Sequence, residues 1–154
     1  MNGSHDPGTT DRARVLVIDD DPRVQAAMTA ELTAVGWHPT AVGPRQLPPR
    51  QALASAFDVA LIDVALPTVA DGLTLITDLG AEIPIVAFSI NGAAREAALT
   101  AGATAYLEKD GDTDRLLQAL RSATAAPAAA STAAPAASTD PYPIRSPHRP
   151  RSSR

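Results

Sequence analysis

Short, continuously apolar runs alternate along this chain with segments whose apolar residues recur at helical spacing. The first run, residues 15–18, is followed by Asp21, a favoured N-cap residue, and by Pro22, which suits the first turn of a helix. Apolar residues then recur three and four positions apart until Gly36, a residue type that commonly ends helices. A run without polar residues is typical of a strand buried on both faces, as in a parallel sheet. This alternation constrains the fold more than any single motif.

The same alternation continues to residue 123. It predicts strands at residues 14–19, 37–42, 59–63, 84–89 and 104–107, and helices at residues 22–35, 50–57, 72–79, 93–101 and 112–123. Strands that are joined through helices are parallel, and their right-handed crossovers place helices on both faces of the sheet. We therefore predict an α/β fold with a doubly wound, five-stranded parallel sheet.

Composition sets the domain boundaries. Hydrophobic residues make up 45% of the chain and aromatic residues only 3%, so the core must consist of Val, Ile, Leu and Ala. Residues 1–12 are polar, and Ala, Pro, Ser, Thr and Arg dominate from residue 123 onwards. Neither end can bury enough apolar surface to offset the entropy of ordering. We predict a disordered N-terminus at residues 1–12, one folded domain at residues 13–122 and a disordered tail at residues 123–154.

The composition also excludes several classes of function. The chain has no cysteine, which rules out disulfides, thiolate zinc sites and thiol catalysis. It shows neither a long apolar stretch nor a secretory signal, so we expect no membrane span and a cytoplasmic location. Residues 11–122 carry nine Lys and Arg against fifteen Asp and Glu. This acidic balance argues against nucleic-acid binding by the folded domain.

Polar side chains stand at the carboxyl ends of four predicted strands. They are Asp19, Asp20 and Asp21 after the first strand, Asp63 at the third, Ser89 at the fourth and Lys109 after the fifth. The carboxyl ends of parallel strands meet at one rim of the sheet. Carboxylates, a hydroxyl and an ammonium on one rim are the groups that hold a divalent cation and a phosphoryl group.

Four motifs together resemble the receiver domain of two-component response regulators. They are Val-Leu-Val-Ile-Asp-Asp-Asp-Pro at residues 15–22, Ala-Leu-Ile-Asp-Val-Ala-Leu-Pro at residues 60–67, Ile-Val-Ala-Phe-Ser at residues 85–89, and Gly-Ala-Thr-Ala-Tyr-Leu-Glu-Lys at residues 102–109. The resemblance covers about residues 13–122 and implies the flavodoxin-like strand order 2-1-3-4-5. It implies a stand-alone receiver, since we recognise no output domain in the chain.

The resemblance implies a role for each site residue. Asp63 matches the phosphoacceptor, and Asp19 and Asp20 match the acidic pair that holds Mg²⁺ together with Asp63 and the backbone carbonyl of Ala65. Lys109 matches the lysine that pairs with a phosphoryl oxygen. A hard cation with oxygen ligands screens the anionic nucleophile from the anionic phosphoryl group.

Two further matches concern signalling. Ser89 matches the hydroxyl that moves to the phosphoryl group, and Tyr106 matches the aromatic switch that turns inward with it. The resemblance also implies a sensor histidine kinase or phosphotransfer protein as phosphodonor and a downstream protein target. It implies a phosphoacceptor that catalyses its own phosphotransfer and dephosphorylation, and not an enzyme in the usual sense.

Two alternatives stay open on the sequence. A degenerate receiver, which docks to partners without phosphorylation, is favoured by the branched Ile90 beside Ser89 and by an apparent insertion before Gly72. A haloacid-dehalogenase-like phosphohydrolase would use Asp19 as its nucleophile, but it would leave Asp63 without a role. The intact set of polar residues favours the phosphorylated receiver over both.

Overall fold

Five parallel strands form one sheet in the computed structural model, which describes residues 12–125. The strands are β1 (Arg14–Ile18), β2 (His38–Val42), β3 (Val59–Asp63), β4 (Ile85–Ser89) and β5 (Ala105–Glu108). Their order is β2-β1-β3-β4-β5 and every pair is parallel, which confirms the predicted doubly wound, flavodoxin-like α/β fold. The predictions for residues 1–11 and 126–154 lie outside the described residues.

A helix follows each strand. The helices are α1 (Pro22–Ala34), α2 (Arg50–Ala56), α3 (Val69–Gly80), α4 (Arg95–Ala101), which a 3₁₀ turn at Gly92–Ala94 precedes, and α5 (Thr113–Ala125). Helix α5 continues past the predicted domain boundary at residue 122, because Ala123 is buried in the core and anchors the last turn. Within residues 12–125, no helix has both the length and the apolarity that crossing a membrane requires.

Helix α3 begins at Val69 and not at the predicted Gly72. The start is fixed by Thr68, whose hydroxyl accepts a hydrogen bond from the Asp71 backbone N–H at 3.2 Å and donates one to Asp71 Oδ2 at 2.6 Å. A threonine followed three residues later by an acidic residue is a known N-cap signal. The prediction was wrong here because Gly72 was interpreted as the start of the helix, although it lies inside it.

The side chains of the strands divide the core into two layers. Leu16, Ile18 and Ile62 point to one face, where helices α2, α3 and α4 pack. Val17 and Leu61 point to the other face, where α1 and α5 pack. Successive residues of a strand point to opposite faces, so continuously apolar strands are what two covering layers require. The carboxyl-end rim carries the buried polar residues Asp19, Asp63 and Ser89, and with them the candidate site.

Candidate functional site

Three carboxylates meet where the neighbouring strands β1 and β3 end. Asp19 and Asp20 follow β1, Asp63 ends β3, and one oxygen from each lies within 4.8 Å of the others. Asp21 does not join them, because its Oδ1 accepts a hydrogen bond from the Arg23 backbone N–H at 2.8 Å and caps α1. The acidic run after β1 therefore divides into two site residues and one helix cap.

Asp19 is the most deeply placed of the three, with 0% of its surface exposed. Its Oδ1 accepts from the Asp21 backbone N–H at 2.8 Å, and its Oδ2 accepts from Lys109 Nζ at 2.9 Å. Burial raises the pKa of Asp19, and the two hydrogen bonds only partly oppose that rise. Both carboxylate oxygens are thus engaged inside the protein.

Asp63 is turned toward the surface of the rim, with 6% of its surface exposed. Its Oδ1 accepts from the Ala65 backbone N–H at 3.0 Å, and its Oδ2 accepts from Lys109 Nζ at 3.0 Å. Ala65 is exposed in the loop that leads to α3. The structure therefore places Asp19, Asp20, Asp63 and the Ala65 loop together at the carboxyl-end rim.

Lys109 links the two buried carboxylates. Its backbone N–H donates to the Ser89 carbonyl at 2.8 Å, which holds the backbone of Lys109 beside the last residue of β4. Burial alone lowers the pKa of Lys109, but the hydrogen bonds to Asp19 and Asp63 outweigh this effect and raise it. The ammonium therefore stays charged and compensates part of the negative charge of the cluster.

The ring of Phe88 lies beneath this ammonium, and Lys109 Nζ is 4.4 Å from the ring centroid. Phe88 is buried on the α1 and α5 face of the sheet, and it was not among the predicted site residues. A cation that lies over an aromatic face is attracted by the ring quadrupole. The sequence did contain a signal for Phe88, because an aromatic residue directly before Ser89 is unusual in a chain with few aromatic residues.

Ser89 and Tyr106 approach the same turn. Ser89 is 7% exposed at the end of β4, and its hydroxyl accepts from the Asn91 backbone N–H at 3.4 Å. The Tyr106 hydroxyl donates a short hydrogen bond to the Asn91 carbonyl, and the ring is buried. Burial raises the pKa of Tyr106, which keeps the phenol protonated as a donor. The two predicted switch residues are thus connected through Asn91.

Comparison with known families identifies this arrangement. Residues 15–121 match the family described as the response regulator receiver domain. The chain belongs to this family. The transcriptional activator protein PfeR of Pseudomonas aeruginosa is 32% identical over 131 residues, which cover 78% of this chain and 43% of that protein. This receiver chain therefore spans less than half the length of that relative.

Solved receiver domains share the fold. A response regulator from Chloroflexus aurantiacus aligns with a TM-score of 0.64 and 24% identity, over 75% of this chain and 99% of that one. The receiver domain of a sensor histidine kinase from Pseudomonas aeruginosa, solved with a magnesium ion in its active-site cleft, aligns with a TM-score of 0.58 and 25% identity, over 75% and 99%. The BeF3-activated receiver domain of RstA from Klebsiella pneumoniae aligns with a TM-score of 0.57 and 25% identity, over 72% and 97%.

The donor set of this receiver suits a hard divalent cation. Three carboxylate oxygens lie close enough to share one ion, and such cations prefer oxygen ligands. Among residues 12–125, the cation paired with this cluster is the Lys109 ammonium, at hydrogen-bond distance from two of its members. A cation at the three carboxylates would free Lys109 to contact another anion.

Proposed function

We propose that this receiver accepts a phosphoryl group on Asp63 from a sensor histidine kinase or a phosphotransfer protein. One observation carries the proposal. The Lys109 ammonium contacts Asp19 and Asp63 equally closely, but Asp63 alone of these two carboxylates has exposed surface. Asp63 can therefore meet an incoming phosphoryl group, with the ammonium already in place beside it.

Phosphotransfer needs little from the protein beyond positioning and charge. A carboxylate oxygen of Asp63 attacks the phosphorus of a phosphohistidine, the new P–O bond forms as the P–N bond breaks, and the released imidazole takes up a proton. Lys109 exchanges its contact with Asp63 for one with a phosphoryl oxygen. Asp19, Asp20, Asp63 and the Ala65 carbonyl would hold Mg²⁺, whose charge offsets the repulsion between two anions.

The proposed signal is a change in protein contacts. Ser89 lies at the carboxyl end of the strand next to β3, and its hydroxyl can donate to a phosphoryl oxygen on Asp63. In doing so it changes its contact with the Asn91 backbone, to which Tyr106 is also bonded. The phosphoryl charge is in this way linked to the buried Tyr106 ring and to the surface formed by α4, β5 and α5, where a downstream protein would bind.

The geometry weighs against both alternatives. A phosphohydrolase that uses Asp19 needs that carboxylate to meet the incoming phosphoryl group, but Asp19 is fully buried, whereas Asp63 keeps 6% of its surface exposed. The degenerate receiver was favoured by the branched Ile90 beside Ser89, where a side chain packed over the rim would narrow access to Asp63. Ile90 is 82% exposed, so no close packing holds it over the site.

The decisive experiment is intact-mass measurement after incubation with acetyl phosphate and Mg²⁺. We expect one added phosphoryl group on the native chain, and none in Asp63→Asn or after Mg²⁺ is removed with a chelator. Asp21→Asn is the matched control, because this neighbouring carboxylate caps α1 and should not affect labelling. An adduct that persists in Asp63→Asn and disappears in Asp19→Asn would support the phosphohydrolase instead.

Absence of any adduct on the native chain is informative when Mg²⁺ binding is measured in parallel. A ligand that binds only the folded state raises the melting temperature. If Mg²⁺ neither raises the melting temperature of the native chain nor supports labelling, the proposal fails and the docking module is the better description. Transfer from a purified histidine kinase then tests the protein donor directly.

A further inference from the structure

A groove of about 330 Å³ lies between α1 and the first turn of α5. Its floor is apolar and includes Val24, Met28, Phe88, Leu107 and Leu116. Val24, Met28 and Leu107 are only half-buried, so they keep apolar surface in contact with water. An apolar concavity of this size is large enough to take one or two bulky side chains.

Charged groups surround this floor, and carboxylates are in excess. The charged residues of the lining are Glu31, Glu108, Asp110, Asp112, Arg23, Lys109 and Arg115. Two of the three cations already have acidic partners. Lys109 pairs with Asp19 and Asp63, and Arg115 pairs with Asp110 at 3.1 Å and with Asp112 at 3.8 Å, so Glu31 and Glu108 are the carboxylates we expect to attract a positive ligand. A ligand that brings both apolar side chains and positive charge would complement this groove.

The C-terminal part of the same chain has this chemistry. In residues 126–154 the large apolar side chains are Tyr142 and Ile144, which stand two positions apart. Arginines follow at positions 145, 149, 151 and 154, and Asp140 is the single acidic residue of the segment. The apolar pair matches the floor of the groove, and the arginines match its carboxylates.

The connection is long enough. Helix α5 has its first residue, Thr113, in the groove lining and its last, Ala125, about 18 Å further along the helix axis. Tyr142 comes 17 residues after Ala125. A stretch of 17 residues reaches up to about 56 Å when fully extended, which is more than the distance to be bridged.

We propose that Tyr142 and Ile144 bind in this groove of their own chain, with Arg145 and the later arginines beside its carboxylates. The proposal concerns the chain in either phosphorylation state and does not depend on the phosphoacceptor role of Asp63.

The chain offers a simple probe, because it contains no cysteine and only two methionines, Met1 and Met28. A nitroxide is attached to Ser146→Cys in the full chain, and the ¹³C-labelled methionine methyl signals are recorded. We expect paramagnetic loss of the Met28 signal, and its recovery when Tyr142→Ser and Ile144→Ser are added to the labelled chain. The control pair Ala128→Ser and Ala129→Ser should leave the loss unchanged.

Three results would overturn the proposal. The first is a Met28 signal that the nitroxide does not attenuate. The second is equal attenuation with and without Tyr142 and Ile144, as expected from a tail that meets the groove only by diffusion. The third is attenuation in a mixture where the nitroxide and the ¹³C label are on different molecules, because this would identify a second copy of the chain as the occupant. Unchanged circular dichroism confirms that each variant is folded.

Discussion

Gly72→Ala tests whether α3 is held against the end of β3 by a contact that only glycine permits. Gly72 lies inside α3, where alanine is normally favoured over glycine by about 1 kcal/mol. A Cβ at this position would lie 1.8 Å from the Val64 carbonyl oxygen and 2.5 Å from its carbon. Helix propensity and packing therefore predict opposite signs for the same substitution.

The distances decide between them. A carbon and a carbonyl oxygen approach to about 3.3 Å, so α3 or the backbone at Val64 would have to move by about 1.5 Å. The obstacle is backbone in a buried segment, which cannot rotate away as a side chain can. Overpacking of this kind costs about 1–3 kcal/mol and sometimes more. Because the clash is severe we take the upper end of this range, and we expect a net loss of about 2 kcal/mol after the gain of about 1 kcal/mol in helix propensity.

Urea denaturation followed by circular dichroism measures this loss. Gly80→Ala, at the end of the same helix, is the matched control, because its Cβ would lie 3.4 Å from the nearest atom, the Gly102 carbonyl oxygen. It should change the free energy of unfolding by less than about 1 kcal/mol. Val64 also joins Asp63 to Ala65, so Gly72→Ala should slow acetyl phosphate labelling as well. A Gly72→Ala chain as stable as the native one would refute the packing argument.

Three further predictions follow from the site and the edge of the sheet. Lys109→Ala leaves two close carboxylates without their cation and should lower the free energy of unfolding by about 3 kcal/mol. Mg²⁺ should raise the melting temperature of this variant more than that of the native chain, because the ion takes over the missing positive charge. Phe88→Leu removes the ring below Lys109, and it should lower the free energy of unfolding by about 1–2 kcal/mol and slow phosphorylation. Phe88→Tyr keeps the ring and should keep the phosphorylation rate of the native chain. The hydrogen bond from Arg14 lowers the pKa of Asp58 in the folded protein. Asp58 therefore stabilises the fold at any pH above its own pKa in the unfolded chain, and this stabilisation is lost as the pH falls through its lowered pKa in the folded protein. Asp58→Asn should therefore lower the melting temperature slightly at neutral pH, and the difference should vanish in strong acid.

Much of the fold could be predicted because it depends on local patterns. The apolar runs and the helical spacing between them are present in the sequence, and each residue at the end of a strand stays there in the structure. The rim could be predicted for the same reason, since parallel strands must bring their carboxyl ends together. Helix α3 was placed too late because the cap formed by Thr68 and Asp71 was overlooked, although its signal is equally local.

The sequence by itself determined the strand and helix order, the five-stranded parallel sheet and the polar residues of the rim, because spacing and residue type are enough for these. Only the tertiary structure decided that the Lys109 ammonium lies between Asp19 and Asp63 and over Phe88, and that Gly72 touches Val64. The two ion pairs join residues 90 and 46 positions apart. Such distances depend on how every helix packs on the sheet, and no local pattern records them.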